Sequence, residues 1–300
     1  MGKNVFWTFS SLLCAFQCSG ALAVEGGASQ QPIGGDGFSA AYLPPQGVFE
    51  VLNYTVFRTA DRFNDGNGNR LSARDFNLFI YGDALRTLYV HRLSFLGADV
   101  ASQAIVSYLH ADLTASGRTS STSGIGDVTV TPLLLSWNHS EALHGLAGLD
   151  FNLPTGAYDK NAFINLGTHH FSFDPFYGIT YTVPDGPEVM VAAFYNVNTE
   201  NSATHYRNGD EFLSNFAFGW NVGPWSLGVQ GSVWTQVTDD RQNGRSVGTD
   251  GNRGQIVAAG PSVRYVLAPN AFGFAWWERD FVAHNATQGG RGILKVAILF

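Results

Sequence analysis

The chain has 300 residues, a formal net charge of −7, and only 14% charged residues, against ~25% in ordinary soluble domains. An acidic balance of this kind argues against nucleic acid as a partner, because phosphates repel it. Aromatics are high at 14%, glycines number 35, and beyond the N-terminal segment no uninterrupted apolar run reaches the ~20 residues a membrane-spanning helix needs.

The chain begins "MGKNVFWTFSSLLCAFQCSGALAVEGG". Lys3, the largely apolar stretch Val5–Cys18 and the small-x-small run Ala21-Leu22-Ala23 read as a secretory signal peptide over 1–23, cut near Ala23. The only cysteines, Cys14 and Cys18, lie inside it. The remainder is expected to have no disulfide, no cysteine metal site and no cofactor. Residues 24–46 are rich in Gly, Pro, Ser and Gln and read as an irregular periplasmic leader. Phe38, Tyr42 and Leu43 are apolar within it. Part of it is therefore expected to fold back to the periplasmic mouth or into a lumen as a plug.

From 47 to 300 the chain alternates strand patterns with turn chemistry. Twelve strands are expected near 47–58, 74–93, 98–114, 126–138, 144–153, 167–183, 187–199, 211–222, 225–238, 255–267, 271–283 and 291–300. Side chains alternate faces along a strand. In "WSLGVQGSVWTQV", Trp225, Leu227, Val229, Val233 and Val237 share one face and Ser226, Gln230, Ser232 and Gln236 the other, with Trp234 an exception. In "EFLSNFAFGWNV", Phe212, Phe216, Phe218, Trp220 and Val222 oppose Glu211, Asn215 and Asn221. The strands near 98–114 and 126–138 alternate poorly. Connections alternate short ("PDG", "GP", "APN") and long ("ADRFNDGNGNRLSAR", "DDRQNGRSVGTDGNRG"). An even number of strands with loops sorted by length implies an all-β, antiparallel, up-and-down transmembrane barrel with short periplasmic turns and longer extracellular loops. Its outward face meets outer-membrane lipid, and the sheet closes because every backbone polar group in lipid needs a partner.

By parity the inward positions include Asp150, Asn152, His170, Asp174, Glu188, Glu211, Asn215, Gln230, Arg264 and Lys295. They are the lumen-lining candidates. Most are expected to pair with one another in the tube, the rest to set selectivity. No catalytic set emerges. His205 and Ser214 are nine residues apart, but the first falls in a loop and the second on the lipid side. His169 and His170 point to opposite faces of a strand and cannot share a metal. "DRFNDGNGN" lacks the closing Glu of a calcium loop. No segment marks a subunit face.

The closing run "ILKVAILF" places Leu294, Val296, Ile298 and Phe300 on one apolar face. It resembles the C-terminal signature of outer-membrane barrels, which in that group is read by the barrel-insertion machinery. The stretches "GIGDVTVTPLLLSW", "GLDFNLPTGAYD", "NLGTHHFSFDPFYGITY" and "FLSNFAFGWNVGPWSLGVQGSVW" resemble a family of outer-membrane proteins associated with the meta-pathway of phenol degradation, over about Leu43 to Phe300. That resemblance implies a Gram-negative outer-membrane barrel and, loosely, a porin-like transport role for hydrophobic or aromatic small molecules. The function expected is passive passage of such solutes. The alternatives are an adhesion barrel acting through its extracellular loops and an outer-membrane lipid hydrolase.

Overall fold

The computed structural model describes residues 32–71, 75–248 and 250–300. Residues 1–23, read from the sequence as a signal peptide, and residues 24–31 lie outside the described residues. The strands in chain order are β1 (Phe49–Phe63), β2 (Asn77–Phe95), β3 (Ala98–Ala115), β4 (Arg118–Ile125), β5 (Val128–Asn138), β6 (Leu143–Leu153), β7 (Ser172–Thr182), β8 (Pro187–Asn198), β9 (Glu200–Asn201), β10 (Tyr206–Arg207), β11 (Glu211–Val222), β12 (Trp225–Gln236), β13 (Arg241–Gln242), β14 (Arg245–Ser246), β15 (Gln255–Ala268), β16 (Ala271–His284) and β17 (Thr287–Leu299). Twelve of them close a cylinder in the order β1-β2-β3-β5-β6-β7-β8-β11-β12-β15-β16-β17, with β17 returning to β1. All these neighbours are antiparallel. The seam pairs Glu50 with Leu299 and continues to Phe63 with Thr287. Beyond it, the Phe49 and Phe300 main chains exchange hydrogen bonds at 3.1 and 2.8 Å. The fold is thus the closed antiparallel barrel expected, with no helix among the described residues.

The alternation decides which face is which. Leu227, Val229, Phe218, Trp220, Trp277, Leu294, Val296 and Ile298 are exposed on the outside, while Ser226, Gln230, Ser232 and Gln236 are buried inside. Trp234 breaks the pattern because its indole turns inward and donates from Nε1 to Glu211 Oε2 at 2.9 Å.

Two strands read weakly for a physical reason. Towards their short-turn ends, β2, β3, β5 and β6 carry apolar residues at inward positions. Leu88, Val90, Ala101, Leu134 and Leu146 form one buried cluster, so both faces look hydrophobic. In addition, Pro132 interrupts β5. Pairing shifts between Ala101 and Gln103 on the β3 side and between Val130 and Leu134 on the β6 side. Proline has no N–H to give the ladder. The Ser102 hydroxyl satisfies the Pro132 carbonyl at 2.7 Å.

Some long connections are more ordered than expected. The stretch read as a 115–125 loop holds β4, a hairpin on the outer end of β3. Ser116 and Gly117 both have positive φ, as a two-residue hairpin turn requires. The 200–210 and 239–254 connections contribute a four-stranded sheet, β14-β13-β10-β9. Conversely, β7 starts at Ser172 and not near 167, so His169 and His170 precede the strand. His169 stacks on Tyr158 at 4.7 Å.

Asp240 anchors the small sheet from below. Its carboxylate accepts from Tyr206 Oη at 2.5 Å, Gly209 N at 2.8 Å and Gln236 Nε2 at 2.5 Å. Burial outweighs these donors and, with help from neighbouring Asp239, pushes the carboxyl up to about 7. A group raised above its unfolded value stabilises the fold only while it binds the extra proton. The sheet should therefore be most resistant to local opening near pH 4 and lose that resistance as pH rises towards 7. Limited proteolysis of this loop across pH 4–8, with a protease of matched activity, checks this. Asp240→Asn should flatten the profile; a wild-type profile already flat from pH 4 to 7 would show the carboxylate to be ionised throughout.

Candidate functional site

The lumen is not empty. Residues 32–46 run inside the barrel and are held by side chains from six strands. Thr180 Oγ1 on β7 accepts from Ala41 N at 3.2 Å. Glu188 Oε1 on β8 accepts from Ser39 Oγ at 2.9 Å. Asn215 on β11 accepts from Gly34 N at 3.1 Å and donates to Asp36 at 3.2 Å. Arg264 on β15 donates to Ser39 Oγ. Trp276 Nε1 on β16 reaches the Gly34 carbonyl at 3.1 Å, and Arg291 Nη1 on β17 the Ile33 carbonyl at 2.8 Å.

Packing accompanies these bonds. Phe38 is fully buried in a cluster with Met190, Ala217 and Trp234. Its ring occupies the space a side chain at position 219 would need, since a Cβ on Gly219 would meet Phe38 Cζ at 2.5 Å. Gly34 has φ of +76° and lies so close to the wall that a Cβ there would meet Glu278 Oε2 at 2.7 Å. Tyr42 stacks on His144 at 4.0 Å near the short-turn end. The segment contributes no ladder pairs to the barrel.

The sequence-derived lumen positions sort around this segment. Asn215, Glu188 and Arg264 touch it. Arg264 also lies 3.2 Å from Glu188 Oε2 and donates to Asn221 Oδ1 at 3.2 Å. Gln230 accepts from Ser262 Oγ at 2.9 Å and lies against Gly37. Glu211 holds Trp234. Asp150 and Asp174 face each other across β6 and β7. Asn152 Nδ2 donates to Asp174 at 2.6 Å, and the Thr131 hydroxyl donates to Asp150. His170 Nε2 lies 3.1 Å from Asn198 Oδ1. Lys295 Nζ sits over the Phe274 ring at 3.9 Å. Gln230 is fully buried on the inner side, against the leader.

A second network was missed. Asp280 is paired with Arg58 at 2.9 Å and Arg291 at 2.7 Å, and Arg291 Nε lies 3.5 Å from Glu278. The signal was present in "WWERDFV", where Glu278 and Asp280 share the inward parity of Trp276. Buried pairs of this kind are costly to break singly, at about 3–5 kcal/mol.

Beside the leader lies a cavity of about 230 Å³. Its walls include Phe38, Tyr42, Phe272, Phe274, Arg86, Glu50 and Lys295. Among the described residues no group of His, Cys, Asp or Glu is arranged to hold a metal.

A closed twelve-stranded antiparallel barrel with an apolar outer face and a charged interior has the architecture of a bacterial outer-membrane β-barrel. The match of the family model "Putative MetA-pathway of phenol degradation" over residues 60–296 makes the chain a member of that family. Among solved structures it is similar to the COG4313 outer membrane channel from Pseudomonas putida F1, with TM-score 0.78 and 18% identity, over 87% of this chain and 98% of that one. It is also similar to the transport unit of the autotransporter AIDA-I from Escherichia coli, with TM-score 0.51 and 10% identity, over 87% of this chain and 94% of that one. At these identities the likeness is one of fold. No curated protein matches.

Proposed function

We propose that the protein is a passive outer-membrane channel for small, hydrophobic or aromatic compounds, and that residues 32–46 act as a seated plug that limits its permeability. One observation carries this reading. The lumen of a closed barrel is filled by a segment held through side-chain hydrogen bonds rather than by strand pairing. Such a segment shifts without unzipping the wall. Twelve strands lie between the side-chain-filled eight and the open sixteen, so the path beside it suits single small molecules. Membership in a family named for phenol degradation supports the solute class, and the likeness to an outer membrane channel supports the mode of passage.

The placement of His205 and Ser214 gives no support to a hydrolase built on that pair. His205 pairs with Glu200 in the outer loops at 3.0 Å, while Ser214 points to the lipid side of β11, so no nucleophile meets a base there.

Planar-bilayer recording of the purified protein tests the proposal. It should show small, ohmic currents without any energy source. Silence both from the intact protein and from one lacking residues 32–46 would overturn it.

A further inference from the structure

The cavity beside the leader has an unusual charge arrangement. Lys295 is 6% exposed yet forms no ion pair among the described residues. Its ammonium rests on Phe274 at 3.9 Å and lies 5.6 Å from the Tyr54 ring. Arg86 reaches Tyr54 Oη only at 3.5 Å, and its Nε is buried without a partner. Two cations therefore flank one tyrosine with no anion in ion-pair contact. Buried charges are ordinarily paired. The two carboxylates in the same wall, Asp36 and Glu50, act on both cations from beyond ion-pair distance. Asp36 is turned to Asn215, and Glu50 makes no ion pair within 4 Å of either cation. Arg264, the third cation of the wall, is taken by Glu188.

The remaining lining is apolar and aromatic: Phe38, Phe272, Phe274 and Leu52. A volume of about 230 Å³ is smaller than the ~300–1,000 Å³ of drug-sized sites and suits one ring with a short substituent.

We infer that this cavity is a binding site for a small aromatic carboxylate, its anion bridging Lys295 and Arg86 and its ring lying among Phe38, Phe272 and Phe274. The inference rests on the channel reading and names a solute class for it. A neutral aromatic would use the ring wall but leave both cations unpaired. A small aliphatic acid would pair the cations but leave the aromatic wall uncovered.

Calorimetric titration of the detergent-purified barrel with benzoate tests this, with benzyl alcohol and acetate as probes lacking one half of the ligand. Benzoate should bind saturably, and the other two at least tenfold more weakly. Lys295→Met should weaken benzoate at least tenfold and Lys295→Arg much less. Glu50→Gln should tighten it by removing a nearby like charge. Folding is read from gel mobility before and after boiling. Should Lys295→Met not fold, Arg86→Met carries the same expectation. Equal affinity for benzyl alcohol and benzoate, or unchanged benzoate affinity in a folded cation variant, would overturn the inference. Titration in detergent needs no ion flow. A conducting protein that ignores benzoate thus fails this inference alone, and a benzoate binder that never conducts fails the channel reading instead.

Discussion

Removing residues 32–46 should raise single-channel conductance several-fold and leave the barrel folded. The segment supplies no ladder hydrogen bonds, so the wall loses none of the pairing that lipid demands. What it loses is the burial of Phe38, about 1.5–3 kcal/mol for a side chain of this size, the hydrogen bonds that Thr180 and Glu188 accept from the segment, and those that Asn215 and Trp276 make with it. Water entering the vacated lumen can satisfy those groups, which makes their loss modest. Gly37→Val is a finer form of the same test. A Cβ at Gly37 would meet Gln230 Oε1 at 2.5 Å, so the branched side chain should unseat the segment without deleting it. Conductance unchanged in both variants would mean that the lumen segment does not limit flow.

The second large effect separates two neighbouring residues on β12. Val229 is 51% exposed on the outer surface and Gln230 is 0% exposed inside. An arginine facing lipid costs about 2–4 kcal/mol at the midplane and ~0–1 near the interfaces. Val229→Arg should therefore lower folding stability in bilayers by roughly that amount. Sequence parity alone expects Gln230→Arg to be harmless in a wet lumen. The structure changes that expectation. Gln230 is packed against Gly37, accepts from Ser262 and donates to Glu278 at 3.4 Å. An arginine there has a carboxylate to pair with but no room beside the leader. It should displace the leader and raise conductance while the barrel remains assembled. Folding titrations and bilayer recordings on both variants give the two readouts. Equal loss of folding would point to an interior packed as tightly as a soluble core.

The barrel was largely legible in the sequence because membrane strands obey a simple rule of alternation, and its strands in the C-terminal half obey it with few exceptions, such as Leu213 and Trp234. Phe212 to Val222 and Trp225 to Val237 give inward and outward faces directly. The rule weakens where the interior is apolar, as at Leu88, Val90 and Leu134, and at Pro132, where the register slips. The inward charges Lys295, Glu188 and Arg264 could be placed by parity, but their partners could not. Arg264 meets Glu188 across three intervening strand connections, and Ser39 reaches both from a segment with no periodicity at all. The seat of that segment is written in glycines at 34, 37 and 219, whose meaning depends on what approaches them in space. Order in the outer loops was likewise hidden, since β9, β10, β13 and β14 are two residues each and leave no pattern to read.

The seam between β1 and β17 sets an order of events in folding. Its partners stand at opposite ends of the barrel's chain, so closure carries a large loop-entropy cost and follows the local hairpins. The leader precedes β1, yet its seat is built from β7, β8, β11, β15, β16 and β17. It is made before the wall but acquires its full set of partners only after the final strand has docked. Until β17 docks, the leader therefore lacks the Arg291 anchor to Ile33. Seating of Phe38 and Gly34 would then be a late kinetic phase, distinct from barrel insertion.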